Sequence, residues 1–60
     1  MAKKNKVNKK DVARIWKHWE DEDLLEDRRE YSVSDIESSY QINRATALVL
    51  YRRVQRWAHR

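Results

Sequence analysis

The sequence predicts an all-α fold, a small domain of three to four helices with its most regular helix at the C-terminal end. Three observations carry that prediction. Val12, Ile15, Trp16 and Trp19 recur at i, i+3, i+4 and i+7, the stripe of an amphipathic helix about 100° wide. Ala47, Leu50, Tyr51, Val54, Trp57 and Ala58 form a second and longer stripe of the same period. Asn8, Ser32 and Asn43, whose side chains can accept from free helix N–H groups, each stand just ahead of a periodic stretch.

Taken in order, residues 1–7 read as a flexible basic arm and residues 8–60 as the helical domain. Asn8 is the first cap, with Asp11 as a weak capping-box partner. Leu24 and Leu25 lie roughly 130° off the first stripe on a helical count, so the first helix is expected to end or bend near residues 20–23. The two leucines then belong to a short piece near 22–29 or to a contact with a partner. Ser32 with Asp35 has capping-box spacing, and Tyr31 and Ile36 stand at the hydrophobic-staple positions around it. Ser34 with Glu37 offers an overlapping cap. A short helix over about 33–40 follows. Asn43, with Thr46 three residues on, then starts a strong helix that runs to about residue 58. Its far face is expected to carry Ala45, Val49, Arg52 and Arg56.

Composition narrows the chemistry. Sixty residues allow one domain and a small core, burying only ~60% of the unfolded surface. The absence of Cys removes disulfides, thiolate nucleophiles and zinc ribbons, and the absence of Gly removes phosphate-cradling loops. His18 and His59 have no paired ligand spacing, so neither a metal nor another cofactor is expected. No apolar run approaches the ~20 residues of a membrane span, and no apolar stretch follows the basic N-terminus as in a signal peptide. The expectation is a non-enzymatic cytoplasmic binding protein with no small-molecule substrate and no membrane partner.

The net charge of +4 is laid out in blocks. Residues 1–10 hold Lys3, Lys4, Lys6, Lys9 and Lys10 and no acid. Residues 20–27 hold six of the ten acids and no base. Residues 44–60 hold Arg44, Arg52, Arg53, Arg56 and Arg60 and no acid. Such a molecule has one region that attracts polyanions and another that turns from them.

The spacing Ile36, Tyr40, Ile42, Ala47, Leu50 has gaps of four, two, five and three. Four is a helical turn, two steps across a tight turn, and five then three set the next inward residues on a second helix. The segment from Asp35 to Val54 resembles the helix-turn-helix of DNA-binding proteins such as small phage and plasmid repressors, and Ile42-Asn-Arg-Ala-Thr-Ala47 is similar to the start of many recognition helices. The resemblance covers a C-terminal motif over about residues 33–58. Gln41 stands where the family usually has Gly at positive φ, and Glu37 where it usually has a small residue. The resemblance implies double-stranded DNA binding by a small transcriptional regulator or a phage or plasmid accessory factor, acting at the nucleoid as a homodimer. By position, Asn43, Arg44, Ala45, Leu48, Val49 and Arg52 would enter the major groove: the arginines on guanine edges or phosphates, Asn43 as a cap or on an adenine edge, Ala45 and Val49 on thymine methyls. Arg53, Arg56, Arg60, Lys3 and Lys4 would hold phosphates.

Two other readings use the same residues. Val33, Ile36, Tyr40, Asn43, Ala47, Leu50, Val54 and Trp57 alternate by three and four, the seam of a single coiled-coil helix with Asn43 as its lone polar position. Leu24, Leu25, Leu48 and Val49 lie off the stripes and offer an apolar surface for a helical interaction module. Trp16, Trp19 and Trp57 read first as core, and aromatics interleaved with arginines can also stack unpaired bases.

Overall fold

Each of the three capping residues does open a helix. The computed structural model describes residues 6–59, and these form α1 (Lys9–Asp21), α2 (Leu25–Arg28), α3 (Val33–Tyr40) and α4 (Arg44–Ala58). Among the described residues the only regular structure is helical. Asn8 Oδ1 accepts from the backbone N–H groups of Lys10 and Asp11 at 3.1 and 3.2 Å. Asp11 turns away from the cap and pairs with Arg14 at 3.1 Å instead. Ser32 and Asp35 make the full capping box, with Asp35 N donating to Ser32 Oγ at 3.2 Å and Ser32 N donating to Asp35 Oδ2 at 3.1 Å. Ser34 lies inside α3, one residue past its start, so the overlapping cap is not used. Asn43 Oδ1 accepts from Thr46 N at 2.9 Å and starts α4.

Two residues with left-handed backbone end helices. After α1, Asp23 has φ 57°, Asp23 N donates to Glu20 O at 3.2 Å and Leu24 N donates to Trp19 O at 2.8 Å. That bond pair is the Schellman closure, which satisfies carbonyls the helix would leave open. After α3, Gln41 has φ 53° and ψ 48°, and Ile42 N reaches back to Glu37 O at 3.2 Å. The single helix through 33–57 is thereby overturned. The heptad spacing is present in the sequence, but the chain reverses its local hand at Gln41 and Asn43 caps a new helix instead of filling a seam.

The core is Val12, Ile15 and Trp19 of α1, Leu25 of α2, Ile36 of α3, and Ala47, Leu50 and Val54 of α4. α4 is the central element and packs against each of the other three helices. Leu25 is buried, and Leu24 is half-buried against the core, so the off-stripe leucines close the α1–α2 corner and do not form an outer surface. Their angular offset from the α1 stripe has a simple cause: the left-handed turn at Asp23 redirects the chain before them. Tyr51 and Trp57 pack on the core only partly, and Ala58 is half-buried. Thr46 is buried as well, its Oγ1 accepting from Asn8 N at 3.0 Å and tying the start of α1 to the start of α4.

One polar node links α1, α2 and α3. Trp19 is fully buried, and its indole N–H donates to Tyr40 Oη at 2.9 Å while the two rings meet edge to face at 5.8 Å. Arg28 Nε donates to the same oxygen at 3.0 Å, and the guanidinium lies 4.7 Å from the Tyr31 ring centre. Burial opposes the charge on Arg28, but the hydrogen bond to Tyr40 and the neighbouring Tyr40, Tyr31 and Asp27 outweigh it and hold its pKa above the ordinary arginine value. Arg28 therefore remains a fixed cation pinning α2 beneath the end of α3.

Candidate nucleic-acid interface

α4 divides the candidate residues by where they sit around its axis. Ala45, Leu48, Arg52 and Arg56 fall on one outward face; the arginines are exposed, and Ala45 and Leu48 are half-buried. Val49 and Arg53 lie toward α1. Val49, expected on the outward face, is half-buried like Ala45 and Leu48; it lines an open surface with Arg52, Arg53 and Arg56 and also packs against the core. Arg53 remains exposed, and its guanidinium lies 5.4 Å from the Trp16 ring centre. Among the described residues, Arg52, Arg53 and Arg56 pair with no carboxylate, whereas Arg44 meets Glu37 at 3.4 Å. That pair is largely exposed and of the kind worth ~0–1 kcal/mol, so a stronger anion would displace it.

Asn43 has both polar ends engaged. Its Oδ1 caps α4 and its Nδ2 donates to Lys6 O at 2.8 Å. These bonds fix the orientation of the Asn43 amide and use one lone pair of Oδ1 and one of the two Nδ2 hydrogens. They also bring the end of the expected basic arm to the first turn of α4. Lys6, Lys9 and Lys10 are exposed there. Lys3, Lys4 and Arg60 lie outside the described residues.

Six of the ten acids lie between Glu20 and Asp27, at the end of α1 and in the turn and short helix after it. Asn8 and Thr46 join the starts of α1 and α4, Arg53 covers Trp16, and Glu20, Arg56 and Trp57 line one groove, so the two helices run side by side in the same direction. The acidic C-terminal end of α1 therefore lies about 20 Å from the lysines at its start, at 1.5 Å per residue. Part of that acid is neutralised locally, by Lys17–Asp21 at 3.3 Å, Arg29–Glu26 at 3.4 Å and the contact between Arg28 and Asp27. Arg52 and Arg56 are not enclosed by it.

Among the described residues no three His, Cys, Asp or Glu side chains are grouped to hold a metal ion, and no helix is long and apolar enough to cross a membrane. Sequence reasoning missed the Thr46 hydroxyl tie and the Trp19–Tyr40–Arg28 node. The first had no signal beyond the capping distance, and the second joins three segments whose contact depends on the turns at Asp23 and Gln41. It also missed that Trp16 and Trp57 share a groove with Arg53 and Arg56. Comparison with known proteins returns no matching family model, no matching curated protein and no matching solved structure.

Proposed function

We propose that this chain binds double-stranded DNA without catalysis, by laying the outward face of α4 in the major groove. The observation that carries the reading is the exposed Arg52 and Arg56 on a helix set off from α3 by the left-handed turn at Gln41, with no carboxylate on either guanidinium among the described residues. Arg52 is the residue for a guanine edge, since its guanidinium can donate two parallel hydrogen bonds to O6 and N7. Ala45 and Leu48 supply apolar contact to thymine methyls beside it. Arg56, Arg53, Lys6, Lys9, Lys10 and the arm lysines Lys3 and Lys4 hold phosphates, and Arg44 joins them once released from Glu37. Asn43 fixes the start of the helix by its cap and its bond to Lys6.

The biological role that goes with this chemistry is a small transcriptional regulator, or a phage or plasmid accessory factor, working in the cytoplasm at the nucleoid. One protomer presents few groove-facing side chains, so two copies on a repeated or palindromic site complete the reading surface. Replacement of Arg52 by Ala tests the groove assignment. Arg52 is exposed and outside the core, so the helical circular-dichroism spectrum and melting should match the parent. Affinity for a selected duplex should fall by about 1–3 kcal/mol, with preference relaxed at one base position. A variant that binds duplex as tightly and as selectively as the parent removes α4 from the groove.

A further inference from the structure

The three indoles have different surroundings. Trp19 fills the core and its N–H is bonded to Tyr40. Trp16 and Trp57 are half-buried, and both line an open groove of about 380 Å³ between α1 and α4, together with Glu20, Arg53 and Arg56. Among the described residues neither Trp16 nor Trp57 has a hydrogen-bond partner for its indole N–H, yet no buried side-chain nitrogen or oxygen is left unpaired. Both N–H groups therefore reach solvent, while one side of each ring packs on the core. Here two rings stay partly open beside two guanidiniums, and Arg53 already lies on the face of Trp16 at 5.4 Å.

We infer that this groove between α1 and α4 binds an unpaired base of a single-stranded nucleic acid, stacked against Trp57 and the Arg53–Trp16 pair, with Arg56 on the adjoining phosphate. Aromatic rings and guanidinium planes are the surfaces on which splayed bases stack. The charge fits a polyanion: the groove has two cations with no ion-pair partner among the described residues and one acid. That acid, Glu20, offers an acceptor to an exocyclic amino group, which makes cytosine a better occupant than thymine. The site adjoins the outward face of α4 and shares Arg53 and Arg56 with it, but its stacking surface is formed by Trp16 and Trp57, which the duplex reading does not use.

Fluorescence of the full chain tests this directly, because Trp19 is enclosed and Trp16 and Trp57 report the groove. A single-stranded oligodeoxycytidylate of about ten nucleotides, within the usual site size, should quench the emission and shield it from acrylamide. Trp57→Leu should weaken that binding roughly tenfold, equivalent to about 1.4 kcal/mol. Trp57→Phe keeps a ring and should retain most of the affinity. Oligothymidylate should bind more weakly, and Glu20→Gln should reduce that difference. The ribose form of the cytidylate is a second arm: quenching by either sugar supports the site and identifies its source. A parent that fails to bind duplex but is quenched by single strands keeps this inference while losing the duplex reading. Unchanged emission and acrylamide access on the parent, equal quenching by duplex, or equal affinity of parent and Trp57→Leu would overturn it. The acrylamide measurement needs no variant, so a Trp57→Leu that fails to fold leaves the test decisive.

Discussion

At the scale of single residues, Tyr40 has more consequence than its half-buried position implies. Its oxygen accepts from Trp19 Nε1 and Arg28 Nε at 2.9 and 3.0 Å, so both acceptor positions of one hydroxyl are filled by groups with little access to water. Trp19 has no exposed surface, and the Arg28 side chain is 13% exposed. Removing the oxygen leaves both donors behind, and an orphaned buried donor costs more than a hydrogen bond contributes. Tyr40→Phe should therefore destabilise the domain by about 1–3 kcal/mol in urea unfolding, although the ring and its contact with Trp19 are kept. A loss below about half a kcal/mol would mean that water reaches the indole N–H after all. The sequence showed Tyr40 only as an apolar plug, because periodicity reports which face a residue is on and carries no information about which hydroxyl meets which donor across 21 positions.

At the scale of elements, the caps were the most legible feature. Asn8, Ser32 and Asn43 act within three residues of themselves, so local chemistry sets the starts of α1, α3 and α4 with little help from tertiary packing. Helix ends were harder to read. Neither left-handed position is glycine, and the chain contains none, so the usual mark of a helix stop is absent. The coiled-coil reading of 33–57 survived on the sequence for that reason. Asp23 tolerates positive φ comparatively well, whereas Gln41, whose backbone N–H donates to Glu37 O, carries a longer side chain that favours positive φ less. Gln41 is exposed, so its side chain contributes little packing to lose. Gln41→Gly should remove a left-handed penalty of about 1–2 kcal/mol and restore about 0.5–1 kcal/mol of unfolded-chain entropy, a net stabilisation of about 0.5–1 kcal/mol. The urea midpoint should rise with an unchanged slope. Gln41→Val, β-branched at the same φ, should lower it. A glycine variant that is less stable than the parent would show that the turn at Gln41 is not left-handed in solution. The outward face of α4 was legible for a geometric reason: Arg52 and Arg56 followed from helical period alone, whereas the packing of Val49 against the core did not, since the breadth of the buried arc depends on where α1 docks.

At the scale of the whole molecule, charge is separated along α1 against the helix's own dipole. Lys9 and Lys10 stand in its first turn and Glu20 and Asp21 at its end, the reverse of the arrangement that stabilises an isolated helix by about 0.3–1 kcal/mol at each terminus. Asp11 and the ion pair of Lys17 with Asp21 soften this without reversing it. The layout costs the folded chain a little and sets the exposed lysines at the joined starts of α1 and α4 apart from the acidic end of α1, a polarity that favours a polyanion at the basic end. If about five phosphates are neutralised per protomer by the arginines of α4 and the lysines near its start, log affinity for duplex DNA should fall against log salt with a slope of about −4 to −5. Two protomers bound together on a repeated site should double it to about −9. The slope thus reports electrostatics and stoichiometry in one titration: near −4.5 a single copy binds, near −9 the site is complete only as a pair. A slope shallower than about −2 would leave the lysines and arginines without phosphates to neutralise, and the proposed duplex interface with them.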